Sequence, residues 1–128
     1  MNLESENKIK IIYAEDSTSV AHLVKSMLIN EGFDVTHFKN GEGVTNAVLS
    51  KMPEIVLLDK EMPVKDGMAV LEELKKLPET KDIPIIFFTT DKDQETVMKC
   101  LQLGVADYIV KDSNAMNNLI PRIRKHLK

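Results

Sequence analysis

Short apolar runs alternate along the chain with longer stretches whose apolar residues recur every three or four positions. The runs fall at 9–14, 34–39, 54–59, 83–89 and 107–110. Three contain continuous apolar segments: Ile11-Ile12, Ile55 to Leu58 and Ile85 to Phe88. Continuity rather than alternation predicts strands covered on both faces, as in a parallel sheet. The second run is more polar and reads as an edge strand. Between the runs lie helical patterns. Val20, Leu23, Val24, Met27 and Leu28 follow a candidate N-cap, Ser17, and precede a stop at Gly32. A second helix reads over 42–51, closed by Pro53. A third presents Met68, Leu71 and Leu74 and ends before Pro78. A fourth presents Val97, Met98 and Leu101 and stops at Gly104. A fifth presents Met116, Leu119, Ile120, Ile123 and Leu127 behind Asp112 or Ser113 as cap.

Five βα units with right-handed crossovers predict an α/β fold: a five-stranded parallel sheet, doubly wound in the flavodoxin-like manner, for which 2-1-3-4-5 is the commonest order. Ligands of such folds sit outside the carboxyl ends of the strands.

Composition narrows the function classes. A length of 128 residues suits one domain. Residues 1–7 are polar and read as a flexible N-terminal extension, with the folded unit over 8–128. The chain has 17 basic and 20 acidic side chains, net −3, too acidic and evenly mixed for direct nucleic-acid binding. One cysteine, Cys100, excludes an intramolecular disulfide and a cysteine-based zinc site. No apolar run approaches the roughly 20 residues of a membrane span, and 1–10 lacks a signal core. The expectation is a cytoplasmic location with no membrane partner. His22, His37 and His126 are scattered, without ligand spacing.

The strand ends carry the chemistry. The first run ends in Glu15-Asp16, the third in Asp59, the fourth in Thr89-Thr90 followed by Asp91, and the fifth just before Lys111. On the doubly wound plan Glu15, Asp16, Asp59, Thr89 and Lys111 meet in one crevice. Two carboxylates about 5 Å apart repel by about 3 kcal/mol at an effective dielectric of ~20, and one lysine does not offset three of them. A hard divalent cation does, and Mg²⁺ suits such an oxygen set. An aspartate facing a metal, a lysine and a hydroxyl is placed to accept a phosphoryl group. Taken singly, each residue also has a plain structural role: Asp16 as a helix cap, Asp59 as a turn former, Thr89 as a β-former, Lys111 as a surface charge. Their combination at four strand ends is what points to a site.

With these residues in place, the sequence resembles a response-regulator receiver domain of two-component signalling, across about residues 8–127. The segments carrying the resemblance are Ile11 to Asp16, Ile55 to Asp59, Met62-Pro63 with Asp66-Gly67, Pro84 to Thr89 and Gly104 to Lys111. The resemblance implies a signalling domain rather than an enzyme. Asp59 would take a phosphoryl group from a histidine kinase or a histidine phosphotransfer protein. Glu15, Asp16, Asp59 and the Glu61 backbone carbonyl would hold Mg²⁺. Lys111 would pair with the phosphoryl group, and Thr89 and Tyr108 would form the switch. The surface of the fourth helix, fifth strand and fifth helix would control a downstream effector, which the sequence does not name. The chain would be a stand-alone regulator or a receiver cut from a longer protein.

Three departures from the family pattern stand out. Asp112 replaces the proline that usually follows the lysine, which predicts a trans bond at Lys111–Asp112. Pro121 lies within the fifth helical pattern and predicts a kink or break near 117–121. Thr90 stands where a small residue is common, and Glu61 and Asp91 are acidic at positions that tune hydrolysis in the family. Other classes fit less well. A flavodoxin-like cofactor carrier needs a phosphate-cradling first loop, not Glu15-Asp16. A phosphoaspartyl hydrolase places its nucleophile on the first strand. The alternative is a degenerate receiver that is never phosphorylated and serves only as a docking module, against which stands the presence of all five site residues.

Overall fold

The continuously apolar runs become central strands. β1 (Lys10–Ala14), β2 (Asp34–Phe38), β3 (Ile55–Leu58), β4 (Ile85–Thr89) and β5 (Asp107–Val110) form one parallel sheet in the order β2-β1-β3-β4-β5. The computed structural model describes residues 8–128, so the expected extension at 1–7 lies outside the described residues. Between the strands run α1 (Thr18–Asn30), α2 (Val44–Lys51), α3 (Gly67–Lys76) and α4 (Gln94–Gln102), and α5 (Ala115–Lys125) follows β5.

The period of two in the strands divides the core into two layers. Ile11, Tyr13, Ile55, Leu57, Ile86, Phe88 and Ile109 face α1 and α5, packing on Val24, Leu28, Leu119 and Ile123. Ile12, Ala14, Val56, Leu58, Ile85 and Phe87 face the other three helices, packing on Val48, Leu71, Leu74 and Cys100. Both layers are needed because the three central strands are apolar on both sides. β2, at the sheet edge, is only partly buried beyond its exposed first residue, which suits its polar sequence.

The local signals mostly hold. The Ser17 hydroxyl caps α1 by accepting from the Val20 N–H at 3.4 Å. Gly32 ends that segment at φ +92°, a backbone conformation that favours glycine. Three expectations change. In α4 the buried residue is Cys100, while Met98 and Leu101 are 56% and 51% exposed. The helix turns its charged and apolar sides differently from the three-and-four spacing. The residue before α5 is Asn114, without a side-chain cap bond. Asp112 instead accepts from the Asn114 N–H at 2.9 Å. α5 also runs through Pro121 without a break. Pro121 and Asn117, whose carbonyl loses its helical donor, are both exposed, so water can satisfy that group. The Lys111–Asp112 bond is trans, as expected.

Candidate functional site

The strand ends bring Glu15, Asp16 and Asp59 together so that one oxygen from each lies within 4.8 Å of the others. Glu15 is 1% exposed and Asp59 7%, while Asp16 is open to solvent. These carboxylates and Lys111 line a cavity of about 800 Å³, together with Glu61, Met62, Pro63 and Thr90. The backbone holds the acids in place. The Asp59 N–H donates to the Ala14 carbonyl at 3.0 Å, and the Glu15 N–H to the Phe38 carbonyl at 2.9 Å. Gly67 starts α3 directly against the phosphoacceptor candidate. A Cβ there would lie 2.4 Å from the Asp59 carbonyl oxygen, so only glycine allows this approach.

Lys111 is the hinge of the charge balance. Its ammonium donates to Asp59 Oδ2 at 2.8 Å and to Glu15 Oε1, and it lies 5.4 Å from the Phe88 ring centre. Burial pulls the lysine's pKa down, but its hydrogen bonds to Asp59 and Glu15 outweigh burial and leave it raised. Burial pushes the Glu15 carboxyl up, and Lys111 only partly offsets that shift. One ammonium therefore serves two buried acids with a third beside them. This donor set of clustered carboxylate oxygens fits a hard divalent cation.

The remaining candidates are placed unequally. Thr89 is fully buried, on the strand face shared by Ile85 and Phe87, and the Asp91 N–H approaches its hydroxyl at 3.4 Å. The cavity wall is formed by Thr90 instead. Tyr108 packs its ring on Phe87, with centroids 5.9 Å apart, and its hydroxyl donates to the Asp91 carbonyl. Glu61 borders the cavity, and its N–H donates to Asp59 Oδ1 at 3.1 Å. The threonine and tyrosine thus meet through the loop after β4 rather than at the carboxylates.

Three contributors escaped the sequence reading: Tyr13, Lys60 and Gly67. Gly67 had a signal in the Asp66-Gly67 pair. Lys60 stands next to Asp59, but only the fold shows that its ammonium lies 2.9 Å from Asp91 Oδ2. Tyr13 looked like an ordinary strand residue.

Comparison with known proteins agrees with this geometry. The family described as "Response regulator receiver domain" matches residues 11–124. A probable transcriptional regulator, ycf27, of Guillardia theta is 32% identical over 128 residues, which is all of this chain and 49% of that protein. The chain spans half or less of the length of the curated relatives it matches. Among solved structures, the BeF₃-activated N-terminal receiver domain of Klebsiella pneumoniae RstA is 29% identical, with a TM-score of 0.83. The match covers 93% of this chain and 98% of that one. The Mn²⁺-bound form of response regulator Rcp1 is 26% identical, with a TM-score of 0.75, over 92% of this chain and 88% of that one.

Proposed function

The chain belongs to the response-regulator receiver-domain family, and on that premise we propose that Asp59 is the phosphoacceptor of a two-component signalling pathway. The observation that carries this reading is the Lys111 ammonium, shared between the Asp59 and Glu15 carboxylates at the mouth of the acidic cavity. The donor is a phosphohistidine on a histidine kinase or phosphotransfer protein. Its N–P bond breaks, the imidazole nitrogen keeps the electron pair, and an O–P bond forms to an Asp59 carboxylate oxygen.

Each residue has a part. Asp16, Glu15, Asp59 and the Glu61 carbonyl would hold Mg²⁺, which when bound would neutralise charge on the phosphoryl oxygens. The Glu61 N–H, 3.1 Å from Asp59 Oδ1, orients the acceptor carboxylate. Lys111 moves its charge toward the incoming oxygens. Thr89 turns its hydroxyl toward the phosphoryl group, and the loop after β4, already bonded to Tyr108, follows it. The state that makes these extra contacts gains free energy and becomes dominant, which reshapes the α4, β5 and α5 surface for a downstream effector. Such a module works in the cytoplasm through protein contacts rather than by turning over a substrate. Among the described residues no helix is long and apolar enough to cross a membrane.

The test is Mg²⁺-dependent labelling of the full chain by acetyl phosphate, read as an intact-mass gain of one phosphoryl group. Asp59→Asn is expected to fold and to remain unlabelled. Stoichiometric labelling of that variant would sink the assignment.

A further inference from the structure

Tyr13 is fully buried on β1, and its hydroxyl is a buried polar atom with no hydrogen-bond partner. Burying a hydroxyl unpaired is destabilising, and native chains rarely retain one without a use. Phenylalanine would fill the same ring volume without that cost. The position is not neutral ground. Tyr13 lies two residues before Glu15, in the core layer that includes Phe88, the ring beneath the Lys111 ammonium. The hydroxyl lies beside the Glu15 carboxylate, close enough to interact with it but without making a full hydrogen bond.

Glu15 has a problem that this donor would solve. In the structure its buried carboxylate is served by Lys111 and, more loosely, by the Ser17 N–H at 3.2 Å. Lys111 is shared with Asp59. A phosphoryl group on Asp59 brings further charge and acceptor oxygens, which draw the lysine away from Glu15. A carboxylate that is 1% exposed then loses its ammonium hydrogen bond, and that acceptor oxygen needs a new donor even with a cation beside it.

We propose that Tyr13 is a positioning residue that replaces Lys111 on Glu15: its hydroxyl turns onto the Glu15 carboxylate in the state in which Lys111 has moved to the phosphoryl group. This holds the Glu15 carboxylate in position among the metal-holding acids while the switch is on. The inference rests on the reading of Asp59 as phosphoacceptor.

The experiment uses the full chain with ¹³C at the tyrosine ring carbon bearing the hydroxyl. The chain has two tyrosines, so the two signals are assigned with Tyr13→Phe. In the wild type, saturation with Mg²⁺ and BeF₃⁻ is expected to shift the Tyr13 signal. Lys111→Met, without metal or BeF₃⁻, is expected to shift it in the same direction, because Glu15 has then lost its lysine. Tyr13→Phe is expected to bind Mg²⁺ within twofold of the wild type and BeF₃⁻ about tenfold more weakly. A Tyr13 signal that stays put in both Lys111→Met and the BeF₃⁻-saturated wild type overturns the inference. So does a Tyr13→Phe variant with unchanged BeF₃⁻ affinity, or one that loses Mg²⁺ and BeF₃⁻ equally. Failure of the wild type to bind BeF₃⁻ at all counts against the phosphoacceptor reading instead, and the Lys111→Met arm then decides the role of Tyr13.

Discussion

Lys60 and Asp91 form an ion pair, Nζ to Oδ2 at 2.9 Å, that ties the loop after β3 to the loop after β4. Asp91 is a node. Its other carboxylate oxygen accepts from the Asp93 N–H at 2.9 Å, its carbonyl accepts from Tyr108, and its own N–H approaches the Thr89 hydroxyl at 3.4 Å. The Lys60 hydrogen bond holds the Asp91 carboxyl below its ordinary range, and the same bond raises Lys60. The residue next to the phosphoacceptor candidate is thus connected to both switch residues through Asp91, by its carboxylate on one side and its backbone on the other.

Lys60→Met is expected to leave global stability almost unchanged, since both partners are reached by solvent and such pairs contribute little. Its effect is local. Amide exchange over residues 91–97 should speed up, and high salt should reproduce part of that change in the wild type by screening the pair. Hydrogen–deuterium exchange by mass spectrometry reads both. Unchanged exchange in the variant would show that the loop is held without Lys60.

Mg²⁺ is expected to stabilise the fold, because it relieves repulsion among Glu15, Asp16 and Asp59 that exists only in the folded chain. At a hundredfold excess over its dissociation constant the gain is about 2.7 kcal/mol. Asp16→Asn should lose most of that increment while melting at or above the wild-type temperature without metal. Differential scanning fluorimetry with and without Mg²⁺ measures it.

Acid should find a second weak point away from the site. Asp107, at the start of β5, accepts from Arg122 Nε at 2.8 Å and pairs with His126 at 3.1 Å, which pins α5 to the sheet. The Arg122 hydrogen bond is the main reason its carboxyl lies at about 2 rather than 3.8. A depressed folded pKa contributes stability that is present above the unfolded value and is lost as pH falls through the folded one. The wild type should therefore lose about 1 kcal/mol, after solvent screening, between roughly pH 5 and 2 from this group. Asp107→Asn should show a flatter urea-stability profile over that window.

Val64 is strained. It takes φ +68° in the loop after β3, with the Lys65 N–H donating to the Pro63 carbonyl at 2.7 Å, and its side chain is 78% exposed. A β-branched residue in that γ-turn conformation is unfavourable, and no packing compensates for it. Val64→Gly should therefore raise unfolding free energy by about 1 kcal/mol, even though glycine adds disorder to the unfolded chain. A lowered urea midpoint would mean that the valine makes a contact worth more than the strain.

The residues alone determined the parallel sheet and the gathering of acids at its strand ends. Continuous runs such as Ile55 to Leu58 fit strands covered on both sides, and the acids at their ends converge because parallel strands all point one way. Periodicity failed at α4, where spacing selected Met98 and Leu101 but the core took Cys100. A short helix has too few turns for spacing to fix its rotation, and the packing of its neighbours decides it. It also failed at Pro121, since the cost of a missing N–H depends on whether its carbonyl partner is buried, and Asn117 is not. Only the tertiary structure decided the partners: Lys111 on both Glu15 and Asp59, Lys60 on Asp91, and Tyr13 with its hydroxyl unpaired. Composition and spacing are one-dimensional, whereas a hydrogen bond or an unmet donor depends on distances between residues as far apart as Glu15 and Lys111, which the folded chain alone sets.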